Sequence, residues 1–183
     1  MRKVNLTNVK ESGDFPKLTA GGYVCRYTSV VDKADKEYLQ MEFDIAEGEF
    51  KDHYKQLNEK FNFWGGKTIR SYKETALPMF KRMCTAVTKS NPGYLFDGNT
   101  NADEETLVGK LVGLVLAEEE YMSNSGEKKT RLYVHCEKSV DDIRNGNYKI
   151  PNKKELQSKP ASYPQNMGFM NIPDGIDEEI PFS

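Results

Sequence analysis

The sequence predicts a mainly β domain with one main helix, followed by a flexible C-terminal tail. Three observations carry this prediction. Strict apolar–polar alternation recurs at 38–45 and 130–137, the two-residue period of half-buried strands. The segment 77–87 instead sets Leu77, Phe80, Met83, Cys84 and Val87 on one face at helical spacing. From about Pro151 onward the periodicity stops, and KPASYPQNMGFMNIPDG is rich in Pro, Gly, Asn and Ser, a linker composition.

In chain order, GYVCRYTSVV (22–31) follows a Gly-Gly turn signal and is rich in β-branched and aromatic residues, so it reads as a strand. The polar DKADK turn leads into YLQMEFDI, where Leu39, Met41, Phe43 and Ile45 share one face and Tyr38, Gln40, Glu42 and Asp44 the other. These two strands form a hairpin. Residues 50–64 fit no single period, and their end, Phe61 to Trp64, reads as a strand before Gly65-Gly66 breaks the chain. Ser71-x-x-Glu74 has the form of a capping box. Pro78 inside the helical span predicts a kink or a later true start, and Asn91-Pro92-Gly93 ends the helix. One or two helical turns at 103–108 close on Gly109. Lys110 to Tyr121 opens with a continuous apolar run, which suits a strand buried on both faces. A Ser-Asn-Ser-Gly turn then leads to Thr130–Glu137, with Leu132, Val134 and Cys136 on one face and Arg131, Tyr133 and His135 on the other. Ser139-x-x-Asp142 with Gly146 predicts a short capped helical turn.

Strand, strand, a third strand, helix, strand, strand is the order of a small Greek-key barrel. The expected fold is therefore an OB-fold-like five-stranded barrel, a common host for single-stranded nucleic acids and for oligosaccharides. The expected organisation is a barrel domain at 1–150, a linker at 151–173 and an acidic–hydrophobic tip at 174–183.

The chain has 183 residues, 37% of them hydrophobic, and a formal net charge of −2. That charge is unevenly spread. Residues 51–90 carry +6 and 128–154 carry +5, whereas 91–127 carry −7 and 160–183 carry −4. Binding to nucleic acid follows local charge, so an acidic total does not exclude it. No run of about 18 apolar residues occurs and no secretory leader is visible, so no membrane partner and a cytoplasmic setting are expected. Cys25, Cys84 and Cys136 are widely spaced without a C-x-x-C, which predicts buried thiols rather than a metal or redox site.

Two segments carry the ingredients of single-strand binding, cations for phosphates and flat rings for bases. The first is 51–73, where Tyr54, Lys55, Lys60, Trp64, Lys67 and Arg70 are the chosen candidates. Tyr54 and Trp64 are expected to be the more exposed rings; for Phe61 and Phe63, which share one strand face, a place in the core is the competing reading. The second is the hairpin end, with Lys128, Lys129, Arg131 and Tyr133. For each, the bland alternative is an ordinary polar surface. Asp32, Asp35, Glu37, Glu42 and Asp44 could in principle hold catalytic cations, but acids at a turn and on a polar strand face need no such explanation. Phosphate-loop, zinc-protease and nucleophile-elbow motifs are absent. No catalytic residue, metal or cofactor is therefore expected.

The end of the chain, Asp177-Glu178-Glu179-Ile180-Pro181-Phe182-Ser183, resembles the tip of bacterial single-stranded-DNA-binding proteins, in which acids precede Ile-Pro-Phe. That resemblance implies docking of Asp177 to Phe182 into basic-rimmed apolar pockets of replication, recombination and repair proteins. The family ends on the Phe, whereas Ser183 here moves the terminal carboxylate one residue on. The bland alternative is a solvated acidic tail. More broadly, GGYVCRYTSVVDK, YLQMEFDIAEGEFKDHY, SYKETALPMFKRM, SNPGYLFDG, LVGKLVGLVLAEEEY and SVDDIRNGNYKIP resemble phage-encoded single-stranded-DNA-binding proteins over 20–151. The implied function is non-catalytic binding of single-stranded DNA in phage replication and recombination. The alternatives are a protein-interaction adaptor acting on a host replication or repair enzyme, and a metal-dependent nuclease.

Overall fold

The computed structural model describes residues 3–5, 7 and 16–156. The tip, and the linker from 157 on, lie outside the described residues. Five antiparallel strands form one sheet: β1 (Gly21–Lys33), β2 (Tyr38–Ile45), β3 (Lys67–Ser71), β4 (Leu111–Met122) and β5 (Lys128–Lys138), in the order β3-β2-β1-β4-β5. Helix α1 (His53–Phe61) joins β2 to β3, α2 (Leu77–Ser90) lies between β3 and β4, and α3 (Val140–Arg144) follows β5. The two predicted hairpins are present, pairing Val30 with Met41 in β1–β2 and Leu116 with Val134 in β4–β5. The predicted inward residues Leu39, Met41, Phe43 and Ile45 are all buried. They pack with Cys25 and Tyr27 of β1, Val112, Leu114 and Leu116 of β4, and Met83 and Val87 of α2. Burying a large apolar side chain contributes about 1.5–3 kcal/mol, so this cluster dominates the stability of the sheet–helix unit. All three cysteines are buried free thiols, as expected from their spacing.

The third strand is not where the sequence places it. Residues 53–61 are helical, and β3 begins after the Gly-Gly pair instead of ending at Trp64. The helix is started from a distance. Asp52, at its N-cap, makes no side-chain cap bond; instead the buried Asp44 carboxylate on β2 accepts from the N–H groups of Tyr54 (2.9 Å) and Lys55 (3.0 Å). A charge-assisted bond of this kind satisfies orphan donors that a local cap would otherwise serve. Asp44 is therefore a structural carboxylate on a buried site, not part of a polar outer face.

Gly66 then brings the chain back onto β2. Its carbonyl accepts from Phe43 N–H at 2.7 Å. A Cβ there would lie 2.1 Å from the Phe43 carbonyl oxygen and 2.7 Å from the Tyr54 ring. Backbone and a buried ring cannot both yield, so Gly66→Ala is expected to cost about 3 kcal/mol, the upper end of overpacking penalties. Urea denaturation measures this; an unshifted midpoint would mean that β3 does not start against Phe43.

The proposed capping box is also different in detail. Ser71 Oγ donates to Glu37 O (3.0 Å) and accepts from Lys73 N–H (3.2 Å), closing the β3 end against the β1–β2 turn. After a 3-10 turn at Glu74–Ala76, α2 starts at Leu77 with Pro78 in its first turn. There its missing N–H costs nothing, which matches the later start rather than a kink. Leu77 consequently stays exposed, while Met83, Cys84 and Val87 are buried as predicted. The short capped helix after β5 is present: Ser139 Oγ accepts from Asp142 N–H (3.1 Å) and donates to its carboxylate (2.6 Å).

The two outermost strands of the sheet meet through one side chain. Arg70, on β3, is buried and donates through Nε to the fully buried Glu137 carboxylate on β5. Its Nη2 lies 3.4 Å from Val134 O on the same strand, and its Nη1 donates to Ile69 O at 2.8 Å. Among the described residues, Tyr27 OH and Glu137 Oε2 are buried without a hydrogen-bond partner. Burial first, and then the Glu137 charge, push the Tyr27 phenol far up, so it stays neutral.

Candidate nucleic-acid interface

The sequence candidates separate into three environments. Arg70 is withdrawn from the surface by its bond to Glu137, as described, so its guanidinium faces a carboxylate and not solvent. Tyr54, expected to be an exposed ring, is only 7% exposed and packs edge-on against Phe43 with centroids 5.5 Å apart. Its place on the inner side of α1, over Gly66, explains the difference. Burial pushes its phenol strongly up. Trp64 is half-buried against the core, with its indole N–H donating to Gly66 O at 3.3 Å. Lys55 and Lys60 are exposed on α1, and the Lys60 ammonium sits 5.3 Å from the Phe61 ring centroid.

The hairpin candidates keep their expected strand but not their freedom. Lys128 Nζ is 2.6 Å from Glu120, Lys129 Nζ is 3.8 Å from Glu127, and Arg131 Nε is 2.9 Å from Glu119. The Arg131 guanidinium also lies over Tyr121, 5.0 Å from its centroid. Lys153 adds a second cation on Glu120 at 2.8 Å. Bonds from Lys128 and Lys153, and then from Leu156 N–H, pull the Glu120 carboxyl down to about 2. Tyr133 is half-buried, edge-on to His135. Phosphates approaching here would compete with carboxylates already in place.

A face that the sequence did not single out carries a different mixture. Partners in an antiparallel ladder share a face, and the register aligns three rows across β1, β2 and β3. Ser29, Glu42 and Lys67 form the first row, Val31, Gln40 and Ile69 the second, and Lys33, Tyr38 and Ser71 the third. The alternate positions, Val30, Leu39, Met41 and Arg70, point into the core, so these rows point outward. Val31 is 43% exposed, and Tyr38 and Ile69 are half-buried. The face thus sets Tyr38, Val31 and Ile69 between Lys33 and Lys67. Beside it, Tyr72 OH donates to Asp32 at 2.8 Å, and that bond pushes the Tyr72 phenol up to about 12. The sequence signal for this face was present in the polar half of the YLQMEFDI alternation, which places Tyr38 outward, but Lys33 and Ile69 carried none.

Two of the carboxylates weighed for catalysis have structural partners: Asp44 caps α1 and Asp32 accepts from Tyr72. Among the described residues no group of three or more His, Cys, Asp or Glu side chains is arranged to hold a metal ion. No helix among them is long and apolar enough to cross a membrane. No protein-family model matches the chain, and no curated protein matches it.

Proposed function

We propose that this chain is a non-catalytic single-stranded-DNA-binding protein of phage replication and recombination, acting in the host cytoplasm. Its domain is an OB-like barrel, and its C-terminal tip, Asp177 to Phe182, recruits replication and recombination proteins. The sheet is open, with β3 and β5 at its edges, and its order β3-β2-β1-β4-β5 with a helix between β3 and β4 suits an OB barrel; in this reading the Arg70–Glu137 bond takes the place of a closing ladder between β3 and β5. The observation that carries the functional reading is the outer face of β1–β2–β3. OB folds bind oligonucleotides over strands 2 and 3 and the adjoining loops. Here that face offers one aromatic ring and two aliphatic side chains between two lysines.

The direct test is titration with oligo-dT of roughly 30 nucleotides, long enough for one or more OB-sized sites. Trp64 fluorescence and electrophoretic mobility are followed at low and moderate salt. Tight binding that weakens steeply with salt is expected, because each neutralised phosphate releases counterions. Absence of binding at low salt overturns the proposal.

The mating of the hairpin cations with carboxylates favours the adaptor as second reading, since it leaves less free positive charge than the sequence advertises. Truncation before Asp174 separates the two: an adaptor loses its function, while a binder keeps its DNA affinity. The lost segment carries four acids and no base, so it competes with phosphates for the same cations. The truncated protein is therefore expected to bind oligo-dT several-fold more tightly at low salt. Equal affinities would exclude competition by the tail.

A further inference from the structure

A second cationic groove lies away from the face just described, at the junction of α2, the end of β5 and the segment after α3. Cys136, Lys138, Gly146, Asn147, Tyr148 and Lys149 line an open groove of about 530 Å³. Two more cations come from α2. Burial raises the Cys136 thiol, and the charges of Arg82 and then Lys138 oppose that rise. Lys89 and Lys138 act in the same way on Asp142 at the start of α3. Arg82, Lys89 and Lys149 are exposed and Lys138 half-exposed. None of the four forms an ion pair with a described residue. The nearby acids are engaged: Asp142 holds Ser139, Asp141 pairs with Arg144, and Glu137 is buried on Arg70.

The groove is built, not incidental. Val140 N–H donates to Ser90 Oγ at the end of α2 (3.0 Å), which ties α3 to that helix. Tyr148 lies directly on β1 at Gly22, where a Cβ would come within 2.5 Å of its ring. The glycine therefore lets the ring lie flat as a wall. Lys138 and Lys149 line this wall, and the charges of Arg82 and Lys89 on α2 add to theirs against the single Asp142 carboxylate, a local excess of positive charge that attracts a polyanion. An aromatic wall beside unpaired cations is the combination that single-strand grooves use, with rings for bases and ammonium or guanidinium groups for phosphates.

Resting on the single-strand reading above, we infer that this groove is a second contact for the same DNA strand, engaged only when the strand is long enough to run on from the β1–β2–β3 face. It holds phosphates through Arg82, Lys138, Lys149 and Lys89, with Tyr148 beside them. The protein then has a short primary site and a longer, salt-sensitive extended site.

The test uses the full chain carrying Arg82→Gln, Lys138→Gln and Lys149→Gln together. Anisotropy is measured with labelled oligo-dT of roughly 10 and roughly 30 nucleotides, spanning the range of OB site sizes. The wild type is expected to bind the longer strand at least tenfold more tightly. The triple variant should bind the short strand within twofold of wild type and lose most of that length advantage. Its salt slope on the long strand should fall by about 2, at ~0.7 per lost single-strand phosphate contact. The charge-retaining variant Arg82→Lys, Lys138→Arg, Lys149→Arg should behave as wild type, which separates lost charge from lost fold. An unchanged length advantage in the triple variant overturns the inference, and so does an equal loss on the short strand. A loss that disappears when Asp174, Asp177, Glu178 and Glu179 are replaced by their amides also overturns it, because the groove would then hold the chain's own tail. Failure of the wild type to bind either strand is a separate result: it overturns the single-strand reading and the groove with it.

Discussion

Arg70→Met is expected to destabilise the protein by about 3–5 kcal/mol, the cost of leaving one member of a buried ion pair without its partner. The Glu137 carboxylate is fully buried and one of its oxygens already lacks a hydrogen-bond partner. Methionine fills the guanidinium's volume and adds no donor, so the carboxylate loses its one charged bond while remaining out of water. Against a total stability of about 5–15 kcal/mol, this is a large share. In a thermal scan each kcal/mol shifts the midpoint of a domain this size by a few degrees. The paired variant Arg70→Met, Glu137→Leu should recover most of the loss, since well-packed apolar replacements of buried ion pairs are often neutral or better. That recovery distinguishes a charge left alone from a cavity or a distorted strand. If the single variant melts within a degree or two of wild type, β3 and β5 are not joined by this bond in solution. The closure proposed for the barrel would then need another explanation.

The same residue shows where sequence reasoning stops. In the sequence Arg70 has the marks of a phosphate ligand, because it sits in a basic, aromatic-rich run. Nothing local to KTIRS reveals that the strand alternates with Arg70 facing inward, toward a glutamate 67 positions later. The two hairpins were legible because their alternation is internal to each segment and a one-residue slip would expose a whole core face. Helix α1 was not, because its cap is Asp44, ten residues before Tyr54 and on a different element. A local search for Ser, Thr, Asp or Asn before an apolar stripe cannot find a cap that tertiary structure supplies. Gly65-Gly66 reads as punctuation in the sequence, but its meaning is close approach to Phe43 and Tyr54, a contact that exists only once β2 and α1 are in place.

Charge followed the same rule. Sequence shows the sign of a side chain but not its partner. Lys128, Lys129 and Arg131 looked like a phosphate-binding tip, yet each is set against a carboxylate, two of them on β4 and one at the start of the same hairpin arm. The acidic run Glu118-Glu119-Glu120 and the basic run after the turn are complementary because the hairpin register puts them opposite one another, Glu119 against Arg131 in particular. An exposed pair of this kind stabilises little, about 0–1 kcal/mol, but it does screen both charges from an incoming polyanion. The cations available for phosphates are therefore those that the fold leaves without an acid, and these are scattered along the chain at positions no motif would gather.

Tyr38→Ala follows from that argument as the decisive test of where the strand runs. If bases stack on the outer face of β1–β2–β3, removing its one aromatic ring should weaken oligo-dT binding by about 1–3 kcal/mol, roughly 5- to 150-fold. Lys33→Ala, in the same row, should flatten the salt slope by about 0.7 for one lost single-strand phosphate contact. Lys129→Ala on the hairpin should change either quantity much less, because its charge is already mated with Glu127. Tyr38 is only half-buried on an outward face, so its removal leaves the core cluster untouched, and a circular-dichroism melt serves as the control for fold. The reverse pattern, with affinity intact in Tyr38→Ala and lost in Tyr133→Ala and Arg131→Ala, would move the strand onto the β4–β5 hairpin. DNA would then have to displace the Glu119 pairing to bind, and affinity would rise when Glu119 is replaced by glutamine. On the β1–β2–β3 face the same Glu119→Gln substitution should do little, so measuring it beside Tyr38→Ala assigns the strand to one face or the other.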